Sequence, residues 1–109
     1  MLNGSLVCLS MEAVPSPVGV VVVMIGELDL ANVGAATAVF DSVCDGASGD
    51  VVVDLAGLEF LGFAGVAMLR SVHRRLAVAG RRLSVDPISD AARRTFAIAG
   101  NPCTDRPVS

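Results

Sequence analysis

The chain has no tryptophan, no tyrosine and no lysine, and its only aromatic residues are four phenylalanines. A core without large aromatics has to be assembled from small aliphatic side chains, here chiefly Val and Ala. Reactive groups are equally scarce. There is one histidine, His73, and three widely spaced cysteines, Cys8, Cys44 and Cys103. No pair of cysteines has the C-x-x-C spacing of a structural metal site, so no metal centre is expected. The three are expected to pack as reduced, small hydrophobes, with a redox-sensitive bridge through Cys103 as the alternative. Neither G-x-x-x-x-G-K-[ST] nor G-x-G-x-x-G occurs, and Gly57, Gly62 and Gly65 are spaced too loosely to replace them. No cofactor is expected. The longest apolar run, Val18 to Ile25, falls far short of the ~20 residues of a membrane span. The N-terminus lacks a basic n-region, and Ser10 and Glu12 interrupt its apolar stretch. A soluble cytoplasmic protein is the expectation. A net charge of -3 gives no nucleic-acid footprint.

What is present is a chain of 109 residues with 53% hydrophobic content, enough for one domain with one core. The expected domain spans 1–109, with a core from about 5 to 102 and a tail at 103–109. Residues 5–12 read as a first strand, and Val14-Pro15-Ser16-Pro17 as a turn, since two close prolines do not fit a central strand. Val18 to Ile25 is a second strand, apolar on both faces, of the kind found in the middle of a covered sheet. The short turn predicts an antiparallel pair. Gly26-Glu27-Leu28-Asp29 closes the second strand, and Asp29 or Asn32 caps a helix. Val33, Ala36, Phe40, Val43 and Cys44 mark that helix's inner face.

Val51 to Leu55 is a third strand, ending in a glycine-punctuated turn. The strand-helix-strand order predicts a parallel unit with a right-handed crossover. Val66, Leu69, Val72, Leu76 and Ala79 stripe a second helix that stops at Gly80, with Arg70, Arg74 and Arg75 toward water. Arg82 to Asp86 is a fourth strand, ended by Pro87. Ser89 caps a third helix with Ala92, Phe96 and Ala99 inside, and Gly100-Asn101-Pro102 terminates it. The fold class is α/β: a mixed sheet of about four strands with three main helices packed against it.

No nucleophile stands beside a base, so catalysis has no candidate residues and an enzyme is not expected. His73 is expected as a half-exposed surface residue. Asp54 near a strand end is reminiscent of a receiver-domain acceptor, but the lysine such a site needs is missing. Asp29 and Asp54 both fall near C-terminal strand ends and are expected to share one edge, either as local caps or as a polar rim for a partner. Arg74-Arg75, Arg81-Arg82 and Arg93-Arg94 read as solvated faces, or as a patch for an acidic partner.

Several pieces, in order, carry a family resemblance: Gly26-Glu27-Leu28-Asp29, the Val51–Leu55 strand, the segment from Phe60 to Leu69, Ala79-Gly80-Arg81-Arg82-Leu83, and the helix end from Phe96 to Pro102. Over roughly residues 5 to 102 the chain resembles the STAS domain, and more narrowly the anti-sigma factor antagonists of bacteria. The resemblance implies a regulator of transcription that binds a kinase-like anti-sigma factor and frees a sigma factor. In that family the turn before the helix usually reads Asp-Ser-Ser-Gly, and the second serine is phosphorylated by the partner. Phosphate adds about −1.5 to −2 charge to a surface meant to dock. Here Gly62 takes the place of the Asp, Phe63 of the first serine and Ala64 of the phospho-serine; only Gly65 matches. Ala64 has no hydroxyl, so this site is not phosphorylatable, and Ser71 lies two helical turns on.

The expected partner surface comprises Asp29, Gly62, Phe63, Ala64, Gly65 and Met68. Phe63 either stands out as an apolar anchor or tucks inward over the sheet edge. The resemblance also extends to small STAS proteins that serve phospholipid-transporting ABC ATPases, which do not need the serine; a degenerate STAS copy with no partner left is the remaining alternative.

Overall fold

Two valine-rich strands form the centre of the described fold, flanked by one strand on each side, with the helices packed against one face. The computed structural model describes residues 8–46 and 48–103. In chain order these form β1 (Leu9–Ser16), β2 (Gly19–Leu28), α1 (Val33–Gly46), β3 (Asp50–Leu61), α2 (Phe63–Val78), β4 (Leu83–Ile88) and α3 (Asp90–Ala99). The expected strand at 5–7 lies outside the described residues. The four strands form one mixed sheet in the order β1-β2-β3-β4. β1 pairs antiparallel with β2, and β2, β3 and β4 run parallel. The α/β class, the antiparallel hairpin and the parallel β2-α1-β3 unit follow the sequence expectation.

Strand lengths do not. Val14-Pro15-Ser16 continues β1, and the turn is confined to Pro17-Val18. Pro15 is tolerated because β1 is an edge strand, where a missing N–H costs no ladder bond. Pro87 likewise lies within β4, the opposite edge. β2 runs three residues past Ile25, through Gly26-Glu27-Leu28. β3 continues to Leu61 instead of turning after Leu55. Irregularities in its register with β2 absorb the extra residues, and the strands come back into step at Leu28–Leu61.

Alternation decides the layers. Val20, Val22, Met24 and Leu28 of β2 and Val51, Val53, Leu55, Leu58 and Leu61 of β3 are buried. Against them lie Ala36, Phe40 and Val43 of α1, then Val66, Leu69, Val72 and Leu76 of α2, then Ala92 and Phe96 of α3. Phe40 is fully buried and stabilises the docking of α1 by about 1.5–3 kcal/mol. Ala79, expected on the inner stripe of α2, is exposed, because the helix has already ended at Val78 and the chain turns at Gly80 (φ +74°).

The Ser89 hydroxyl caps α3 as expected, accepting from the Ala92 amide at 3.1 Å. Cys103, assigned to the tail, packs against the core; burial pushes its thiol up to about 11 against a smaller opposing effect of the Val85 backbone. The molecule's shortest dimension is 21 Å, the thickness of one helix layer on one sheet. The face of the sheet away from the helices carries no second layer among the described residues, contrary to what the doubly apolar β2 predicts.

Candidate functional site at the strand ends

The parallel strands β2 and β3 finish side by side, with Leu28 level with Leu61. The Gly62 amide donates to the Leu28 carbonyl at 2.8 Å, tying the entry of α2 to the end of β2. Asp29 follows directly, its Cα 3.6 Å from where a Gly62 Cβ would stand. Neither Asp29 nor Asn32 spends its side chain on the first turn of α1, as a cap would. The Asn32 Oδ1 accepts from the Asp29 amide (3.0 Å), and its Nδ2 donates to the Glu27 carbonyl (2.8 Å). The Asp29 Oδ1 accepts from the Ala31 amide at 3.0 Å. These bonds fold the loop on itself and leave Leu30 80% exposed at its tip.

On the other side of Gly62, α2 begins with Phe63. Gly62 is extended and has no side chain to cap the helix, and the first turn contains no acid. Phe63 is 62% exposed, so of the two orientations open to it the outward one is observed. Phe60 stands 48% exposed next to Gly62, with its ring edge 3.4 Å from the place of a Gly62 Cβ. Three large apolar side chains, Leu30, Phe60 and Phe63, therefore project around the Asp29–Gly62 contact. Leu30 and Phe60 escape a sequence reading. The available signal is that Phe60 falls between the inward positions Leu58 and Leu61 of β3, and that Leu30 is an apolar residue in the loop between β2 and α1.

Ala64 faces a groove between α1 and α2 of about 310 Å³, lined by Thr37, Asp41, Met68, Ser71 and Arg75. Met68 is buried, Ser71 exposed. Arg75 crosses the groove's far end, donating to Asp41 and, at 2.8 Å, to Asp45. The Asp41 carboxylate holds the Arg75 guanidinium above its usual range. Gly65, two residues after Phe63, is buried against Leu28 and Leu61.

Other expected residues lie elsewhere. Asp54 is level with Val23 in the middle of the sheet, where its Oδ1 accepts from the Ala56 amide, so it does not share an edge with Asp29. His73 is buried on the inner side of α2, not half-exposed. Arg70 is only partly exposed and donates to the Ala99 carbonyl, joining α2 to the end of α3. Arg81 donates to the carbonyls of Gly49 and Cys44 and is not a solvated partner of Arg82. Burial raises the Cys44 thiol's pKa, against the lowering effect of nearby Arg75 and Arg81. Among the described residues no group of acids, histidine and cysteines is placed to hold a metal ion. What this end of the molecule offers is exposed apolar surface on a braced loop and a helix start, which suits binding.

A family model described as "Mlab, STAS domain" matches residues 13–101. No curated protein matches the chain. Among solved structures, an anti-sigma factor antagonist from Mycobacterium paratuberculosis is similar, with 26% identity and a TM-score of 0.75 over 84% of this chain and 78% of that one. The anti-sigma factor antagonist SpoIIAA in its unphosphorylated form shares the fold at 19% identity, with a TM-score of 0.70 over 84% of this chain and 83% of that one. No described helix is long and apolar enough to cross a membrane.

Proposed function

The chain belongs to the STAS domain family, and on that premise we propose that it acts by binding, as an anti-sigma factor antagonist that occupies a kinase-like anti-sigma factor and relieves inhibition of a sigma factor without a serine phosphorylation switch. The observation that carries the proposal is Phe63. It stands outward at the first position of α2, beside Asp29 and Gly62 and next to Ala64. Its neighbours Leu30 and Phe60 enlarge the apolar area, and desolvated aromatic anchors of this kind dominate interface energies. Asp29, Gly62, Phe63 and Ala64 contribute the contact surface. Gly65 and Met68 set the seating of the helix start beneath it.

At position 64 a methyl group replaces a hydroxyl, so a partner kinase has no acceptor there. The mycobacterial neighbour, described as an anti-sigma factor antagonist, supports this reading. Affinity capture from the host lysate, with Phe63→Asp as the control bait, tests it. A kinase-like anti-sigma factor enriched by wild type alone is the expected result.

The missing hydroxyl also favours a second reading, a STAS accessory subunit of a phospholipid-type ABC transport system, where no phosphorylation is needed. Enrichment of an ABC ATPase in the same experiment would move the protein to that class.

A further inference from the structure

The two edges of the sheet end differently. At the β4 edge the Val85 amide is engaged by the Cys103 thiol, and the short strand contains Pro87. At the β1 edge no described strand pairs with the outer side of the backbone. The Glu27 amide donates to the Cys8 carbonyl at 2.6 Å, and the hairpin turns directly between Ser16 and its partner Gly19. Antiparallel neighbours alternate between hydrogen-bonded and non-bonded pairs. The ladder to β2 therefore uses the backbone of Cys8, Ser10, Glu12, Val14 and Ser16. The N–H and C=O groups of Leu9, Met11 and Ala13 point away from the sheet. Pro15 holds the next outward position, where its missing N–H breaks no bond to β2.

A row of outward N–H and C=O groups is a template for another strand. The residues of this row choose which one. We infer that β1 pairs antiparallel with β1 of a second copy of the chain, about a two-fold axis at Met11, so that two four-stranded sheets join edge to edge.

Register and charge select that occupant. With the axis at Met11, the Leu9 amide of one copy donates to the Ala13 carbonyl of the other, the Ala13 amide donates to the Leu9 carbonyl, and the two Met11 residues exchange bonds. Every outward amide from 9 to 13 is used, and Glu12 stands opposite Ser10. An axis one residue further on, at Glu12, sets two carboxylates directly opposite each other. It also brings Pro15, which has no N–H to give, opposite Leu9. On the helix side, Leu9 and Met11 pack against the core and, with Ala35, Ala36 and Val39 of α1, line an apolar groove of about 290 Å³. In the pair the two Met11 side chains meet, and the small Ala13 lies beside Leu9, so the apolar floor of one groove continues into the other. A contact using β1 of both copies closes after two chains. A β1-to-β4 contact, which would propagate, is opposed by Cys103 and Pro87. The edge does not include the Phe63 turn, and the inference does not depend on the partner proposed there.

The test is sedimentation velocity of the full chain from dilute to near-millimolar concentration, with amide hydrogen exchange measured at both ends of that range. The expected result is a monomer–dimer equilibrium in which the Leu9, Met11 and Ala13 amides become protected only at high concentration, while those of Ser10, Glu12 and Val14 are protected throughout. Ala13→Pro removes an outward amide that makes no bond to β2 and should weaken the dimer about tenfold or more. Ser10→Arg, which meets Glu12 of the other copy twice per dimer, should tighten it about threefold or more, and Ser10→Glu should weaken it by a similar factor. Folding is checked by circular dichroism, and the exposed Ser10 position carries the test if Ala13→Pro does not fold. A monomer at every concentration would overturn the inference; if the three outward amides are then protected throughout, the edge is held by another segment of the same chain. So would a dimer that leaves these amides unprotected, or equal affinities for Ser10→Arg and Ser10→Glu.

Discussion

Gly65 lies so close to Leu28 that a Cβ on it would stand 2.9 Å from the leucine Cγ, and 2.7 Å from Cδ1 of Leu61. The start of α2 thereby sits directly on the ends of β2 and β3, and Phe63, two residues earlier, is held clear of the surface. Alanine at position 65 gains about 1 kcal/mol in helix propensity. It also forces two buried leucines to move, at about 1–3 kcal/mol. Gly65→Ala should therefore lower stability by up to about 2 kcal/mol, read as a reduced midpoint in urea at unchanged slope. A rise in the midpoint would show that the leucines yield freely.

Adjacent arginines are predicted to differ sharply. Arg81 donates to the Gly49 carbonyl at 2.7 Å and the Cys44 carbonyl at 3.0 Å, holding the end of α1 to the entry of β3. Arg81→Met leaves those carbonyls without this donor and should cost about 1.5–3 kcal/mol. Arg82 is exposed, and Arg82→Ala should change stability by less than about 0.5 kcal/mol. Equal losses in chemical denaturation would contradict the assignment.

How far these features can be read from the residues depends on whether they are local. The buried stripes of the helices and the Ser89 cap are set by spacing and by one hydroxyl, and both are legible. β3 is not. Gly57 and Glu59 read as a turn, yet the ladder to β2 carries the strand through them to Leu61. That error misplaces Asp54, which pairs with Val23, six residues before Asp29 and so roughly 20 Å along the strand. Val14-Pro15-Ser16 reads as a turn because edge position, which excuses the proline, is a property of the whole sheet. The Asp29–Gly62–Phe63 part of the site is legible from the resemblance. Leu30 and Phe60 join it only through the folding of the loop and the register of β3.

Cys103 gives a pH signature. Its folded pKa, about 11, is above the usual 9.0, so the unfolded chain loses this proton first as pH rises. Stability from this group is complete below pH 9 and falls between pH 9 and 11. After allowance for its partial exposure the loss is on the order of 1 kcal/mol. Cys103→Ala should flatten the stability profile in that window. At pH 8, alkylation should be slower at Cys103 than at exposed Cys8, as followed by peptide mass spectrometry. Equal rates would place the Cys103 thiol in solvent.

The loop tip makes a separate contribution. Leu30→Asp alters a residue that is 80% exposed, so folding should be unaffected while affinity for the proposed anti-sigma factor partner falls about tenfold or more, roughly 1.4 kcal/mol. A variant that folds and binds like wild type would remove Leu30 from the interface and confine the contact to Phe60 and Phe63.

The most direct measurement is a calorimetric titration of the proposed partner, a kinase-like anti-sigma factor captured from the host, with wild type and with Phe63→Asp, each with and without ATP. The account predicts that wild type binds equally well in both conditions, that no phosphate is transferred to it, and that Phe63→Asp binds at least tenfold more weakly. Failure of wild type to bind, an affinity unchanged by Phe63→Asp, or release of the complex by ATP with phosphate on this chain would contradict it.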